Sequence, residues 1–181
     1  MGARFVVVLA AALFAISYIV APISTLAGLV GALKTGDAER LSHHVDFPAV
    51  RASVKEQLSA LMLADPKISG NPFALALGPV MLNTLIDNMV TPSGLAAMIQ
   101  KGKAADKSGA GAPPSVDVRK IEFSKLLASV SINGAYEFRL RPPSENGQQP
   151  PDIVFKNLGV FNWKLSDIRI PPTIFADKPS R

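Results

Sequence analysis

No Asp, Glu, Lys or Arg occurs between Phe5 and Leu33, and no other stretch constrains the fold as much. A bilayer core is crossed by about 20 apolar residues in a helix, and the first part of this run is long enough to do so. Arg4 is the sole side-chain charge before it. With the amino terminus it favours a cytoplasmic start, which sends the rest of the chain across. Tyr18 falls near the far end, where interfacial aromatics sit. A cleaved signal peptide competes with this reading. Pro22 hinders cleavage after Ala21, however, which leaves Thr25-Leu26-Ala27 as the alternative site. A buried core helix is the third reading. The preferred one is a single-pass anchor over residues 1–22.

The 181 residues leave room for that anchor and one further domain. A formal charge of +5 would suit nucleic acid, but the Lys and Arg residues are scattered and not interleaved with aromatics, so no nucleic-acid partner is expected. The absence of cysteine removes disulfides, thiol nucleophiles, iron–sulfur clusters and Cys-ligated zinc together.

After the anchor, Leu26, Leu29, Val30 and Leu33 keep helical spacing, Gly36 suits a helix end, and Asp37 suits the N-cap of a short helix reaching His44. Asp46 is a second N-cap, aimed at the Ala49 N–H, with Pro48 tolerated in the first turn. Arg51 is placed to pair with Asp46 and brace that helix. Val50, Val54, Leu58 and Leu61 form its apolar stripe, and Asp65-Pro66 ends it. A further apolar segment begins at Asn71-Pro72-Phe73, is broken or kinked at Gly78-Pro79, and continues as a helix apolar enough to be buried. Thr91 caps the next helix, which Gly102 should stop. Residues 23–102 thus form the helical part of the domain.

Residues 103–115 are small and polar and read as a flexible linker. The period then changes to two over 116–175, with a loose tail at 176–181. Ala128, Val130 and Ile132 alternate with serines, and Tyr136, Phe138 and Leu140 with charges. A three-residue Ile132-Asn133-Gly134 loop with Gly134 left-handed pairs Ser131 with Ala135 and puts Ala128, Val130, Tyr136, Phe138 and Leu140 on one face. Apolar parity switches at Ser166-Asp167, the mark of a β-bulge. Helices followed by an antiparallel meander of about four strands make the fold α+β, of a cystatin-like or nuclear-transport-factor-like kind.

Ala32-Leu33, Gly36-Asp37, Leu41, Val45-Asp46-Phe47-Pro48, Arg51, Thr91-Pro92-Ser93-Gly94-Leu95, Trp163-Lys164-Leu165 and Asp167-Ile168 together resemble a bacterial family, domain of unknown function 2939. The likeness spans most of the chain after Val20, apart from the linker and the polar loop between Pro142 and Pro151. It implies a membrane segment followed by an α+β region, and no activity.

His43, His44 and Asp46 are the densest ionisable cluster, but adjacent helical histidines point about 100° apart and no third histidine exists to complete a zinc site. No Gly-x-Ser-x-Gly elbow or phosphate-cradling loop is present either. The chain is therefore expected to be no enzyme and to need no cofactor or metal. An enzyme using Asp46 and a histidine is the remaining, disfavoured class. The expected protein is anchored in a bacterial inner membrane with its domain on the periplasmic side, or released there after cleavage. It would bind an envelope protein or support an assembly. The alternative is a carrier of a small apolar ligand, in a pocket between sheet and helices lined by Tyr136, Phe138, Phe155 and Trp163.

Overall fold

The computed structural model describes residues 2–108, 123–142, 149–159 and 161–171. Its helices are α1 (Gly2–Thr35), α2 (Ala38–His44), α3 (Phe47–Ala64), α4 (Pro66–Ser69), α5 (Pro72–Met89), α6 (Pro92–Ser108) and α7 (Phe123–Ala128). Four strands follow: β1 (Val130–Ile132), β2 (Glu137–Leu140), β3 (Asp152–Asn157) and β4 (Trp163–Arg169), antiparallel in the order β1-β2-β3-β4. The fold is α+β, helices first and a meander after.

α1 is one unbroken helix with Pro22 inside it. Proline there removes a single backbone donor, and the Ala21 carbonyl beside it accepts the hydroxyls of Ser24 and Thr25. The two halves of α1 differ sharply. Phe5 to Ser17 is exposed throughout, whereas Leu26, Leu29, Val30 and Ala32 are buried in the domain core. Gly36 ends the helix in the left-handed region, at φ +70°, and its N–H donates to the Ala32 carbonyl.

The inner face of the sheet carries Phe138 and Leu140 opposite Phe155 and Ile153, with Leu165 and Trp163 on β4. It packs on the buried half of α1 and on Leu41, Val45, Phe47 and Val50. Phe155, Leu41 and Leu140 are the largest side chains closed off almost completely. Each contributes about 1.5–3 kcal/mol by leaving water. On the other face Arg139 pairs with Glu137, and Arg169 with Asp167. Ser166 is the extra residue of a bulge, since Phe155 faces Leu165 while Val154 faces Asp167. The parity switch in the sequence is that bulge.

Several sequence expectations are corrected. Gly102 does not stop α6, which runs on to Ser108, so the linker begins later than residue 103; 109–115 and the 176–181 tail lie outside the described residues. Ala128 closes α7 and is not in a strand. The first hairpin pairs Ile132 with Phe138, not Ser131 with Ala135. That shift keeps the parity, so Val130, Phe138 and Leu140 share a face, but it puts Tyr136 in the turn beside a left-handed Gly134 (φ +91°). Gly78-Pro79 does not break α5, and α5 is not buried: Ile86 is its one buried residue. The sheet is already covered by α1 and α3, so α5 packs mainly on α3, α4 and α6 and lies in an outer layer.

Candidate functional site

The junction between α1 and α3 was the densest cluster of polar groups, and the structure gives most of them local partners. The Asp37 carboxylate accepts the N–H groups of Glu39 and Arg40, both at 3.1 Å. Asp46 accepts the Ala49 N–H at 3.2 Å, with Pro48 in the first turn. Thr91 caps α6 through the Gly94 N–H at 2.9 Å. Arg51 forms no ion pair with Asp46 among the described residues, which corrects the expected brace. Five residues along a helix turn a side chain about 140° away, so the guanidinium leaves the cap.

Between the caps, Val45 forms a parallel bridge with Leu165, and the Asp46 N–H donates to the Leu165 carbonyl at 2.8 Å. The Val45-Asp46-Phe47-Pro48 motif thus adds a short extension to the edge of β4, buries Val45 and Phe47, and launches α3. His43 is exposed, while His44 lies half-buried against Gly28 of α1, where a Cβ would overlap its imidazole. Burial first, then His43 and Lys164, push the His44 pKa below its ordinary 6.5. No group of three His, Asp or Glu side chains placed to hold a metal occurs among the described residues.

Three of the four residues expected to line a pocket between sheet and helices pack on one another. Phe138 and Phe155 stack with centroids 4.5 Å apart, Trp163 lies 5.4 Å from Phe138, and all three are buried. Tyr136 is 73% exposed and outside this core. Two clefts open elsewhere among the described residues. One, of about 490 Å³, opens at the end of the sheet between Arg141, Asp152 and Arg169. Its cations are already engaged: Arg141 grips Asp152 with two 2.7 Å hydrogen bonds and holds that carboxyl below its usual range, and Arg169 pairs with Asp167. The other, apolar and of about 80 Å³, lies between Met62, Ile68 and Leu75. Ligand pockets run from about 300 Å³ upward, so it is too small.

What the described residues do present is apolar surface in three places. The first is the start of α1, the one helix long and apolar enough to cross a membrane, with mean hydropathy 2.6 over its apolar window. The second is α5, where Phe73, Leu77, Val80, Met81 and Leu85 lie exposed at roughly i, i+4 spacing. The third is the pair of hairpin turns: Ile132 and Tyr136 in one, Leu158 and Phe161 in the other. Sequence reasoning passed over the last two. Their signals were a helix apolar all round behind a sheet already covered, and two turns without a charge.

The turns belong with α1. Tyr18 donates its hydroxyl to the Ala135 carbonyl and receives the Asn157 amide. Its ring lies 5.9 Å from Trp163 and 6.5 Å from Phe161, and Phe14 lies 5.4 Å from Phe161. An aromatic path therefore runs from the sheet core out to the exposed half of α1.

No curated protein and no solved structure matches the chain. A family model does, over residues 11–98. The match takes in the Val45-Asp46-Phe47-Pro48 motif and Thr91–Leu95 but ends before the sheet, so Trp163-Lys164-Leu165 and Asp167-Ile168 fall outside it. Over this region, from within α1 to the first turns of α6, the chain is similar to the family described as protein of unknown function (DUF2939).

Proposed function

We propose that the protein is held in a bacterial inner membrane by α1, with its N-terminus cytoplasmic and its domain outside the cytoplasm, and that it binds an envelope protein partner there without catalysing a reaction. The observation that carries the partner is α5, whose Phe73 is 72% and Met81 70% exposed. Contiguous apolar patches of this kind mark interaction sites on soluble surfaces. The bilayer is not the natural occupant of this face. α3 follows β4 from Leu165, met at Asp46, to Ile170, met at Gln57, and carries α4 and the start of α5 beyond the strand. That end is opposite the hairpin turns that touch the exposed half of α1.

Retention of α1 is favoured over cleavage on the same ground. Cutting after Ala27 would remove Thr25 and Leu26, both buried, together with Tyr18. The test is a photo-crosslinker at Val80 or Met81 of the full chain in its own membrane. A discrete adduct with another protein, lost in Phe73→Lys and Leu85→Lys chains that still fold, is the expected result. Adducts only with lipid or with a second copy would refute the reading.

A further inference from the structure

We infer that the two hairpin turns at the foot of α1 insert into the outer boundary of the bilayer that α1 crosses, so that the domain is seated in the lipid interface and not tethered above it. The inference rests on α1 being a membrane span.

The geometry comes from lengths. A hydrocarbon core of about 30 Å takes about 20 residues of helix. Counted from Phe5, that reaches roughly Ser24. Tyr18 stands only about 21 Å along the axis from Arg4, which leaves it several ångströms below the far boundary. Phe14 is deeper still. Yet these two residues already carry the domain: Tyr18 bonds to Ala135 and Asn157, and both rings meet Phe161. The exposed apolar helix beneath the domain is therefore too short to cross unless the parts touching Phe14 and Tyr18 enter as well.

Those parts have the chemistry to enter. From Val130 to Tyr136, and again from Asn157 to Trp163, there is no Asp, Glu, Lys or Arg. Ile132 is 78% exposed, Tyr136 73%, and Leu158 and Phe161 about half. Interfacial elements bury their apolar face about 5–10 Å deep, which matches the shortfall. Lys156 stands exposed one residue before Asn157, at the height where a headgroup phosphate would meet it. The salt-bridged end of the sheet, at Arg141, Asp152 and Arg169, is the end that stays in water.

The absence of cysteine makes the test direct. Nitroxide labels are placed on the full chain by Ile132→Cys, Tyr136→Cys, Leu158→Cys and Phe161→Cys, with Leu9→Cys inside the span and Ser69→Cys at the far end. In phosphatidylethanolamine–phosphatidylglycerol vesicles, collisions with oxygen and with a water-soluble nickel chelate report depth. The four turn labels are expected to shift to lipid-like accessibility with Leu9→Cys, while Ser69→Cys stays aqueous. Turn labels in water with Leu9→Cys in lipid would overturn the insertion and leave the anchor standing. Leu9→Cys in water would overturn both. The unaltered chain gives a second reading through its single tryptophan, Trp163, beside Tyr18. Lipids brominated high on their acyl chains should quench it, and no quenching by any bromolipid would refute the insertion.

Discussion

Asp46 accepts the Ala49 N–H through its side chain while its own N–H closes onto Leu165, so a single residue joins a helix start to a strand edge. Asp46→Ala should cost about 1 kcal/mol in urea unfolding of the detergent-solubilised chain, and Asp46→Asn should recover most of it, because asparagine caps as well as aspartate. This cap, with Asp37 and Thr91, was legible in the sequence because a cap needs only neighbours two or three residues away. Arg51 was misread for the complementary reason: proximity in sequence suggested a pair that helical geometry turns apart. His44 was not legible at all, since its neighbours Gly28 and Lys164 come from α1 and β4. Its folded pKa is lowered, so the unfolded chain binds more protons in the window just below 6.5. Stability should therefore be full above that value and fall as the pH drops through it. Unfolding midpoints followed from about pH 7.5 to 5.5 should show this fall, and His44→Gln should flatten it.

At the scale of elements, the sequence announced periods and endings but not which surfaces would be covered. Gly36 is an ending. Its φ of +70° and the Gln100 amide 2.8 Å from where a Cβ would stand make α1 stop there and turn into α2. Gly36→Ala should destabilise by about 1–2 kcal/mol, the cost of a side chain in the left-handed region, measured as a lower urea midpoint with unchanged slope. The bulge at Ser166 was readable because the apolar parity changes inside one strand. The exposure of α5 was not, because its residues are as apolar as those of a core helix. Whether such a helix is buried depends on how much sheet remains to receive it, and β4 is already taken by α3. The hairpin turns hid for a related reason. Ile132 and Phe161 obey the strand pattern and its flanks, and only the position of α1 shows that their two turns meet an apolar helix, through Ala135 and Phe161.

The whole molecule is organised by α1 in two capacities at once, and this separates it from a domain hung on a tether. Leu26, Leu29 and Val30 are buried on the helix that also supplies the exposed Phe5 to Ser17 run. Their loss from the core would remove on the order of 6 kcal/mol of burial free energy, which is comparable with the whole stability of a small domain, about 5–15 kcal/mol. A chain starting at Asp37 is therefore expected not to fold. It should show helical far-ultraviolet dichroism but no near-ultraviolet signal from Trp163, and no cooperative melt. A chain starting at Phe14 keeps every buried residue of α1 and both aromatic contacts to Phe161. It should melt cooperatively in detergent while losing its hold on vesicles. If the chain from Asp37 melts cooperatively with its tryptophan signal intact, α1 is an anchor alone and its packing against Leu41 and Phe138 is dispensable. The contrast between the two truncations separates anchoring from folding, because the residues removed first are exposed and those removed next belong to the core.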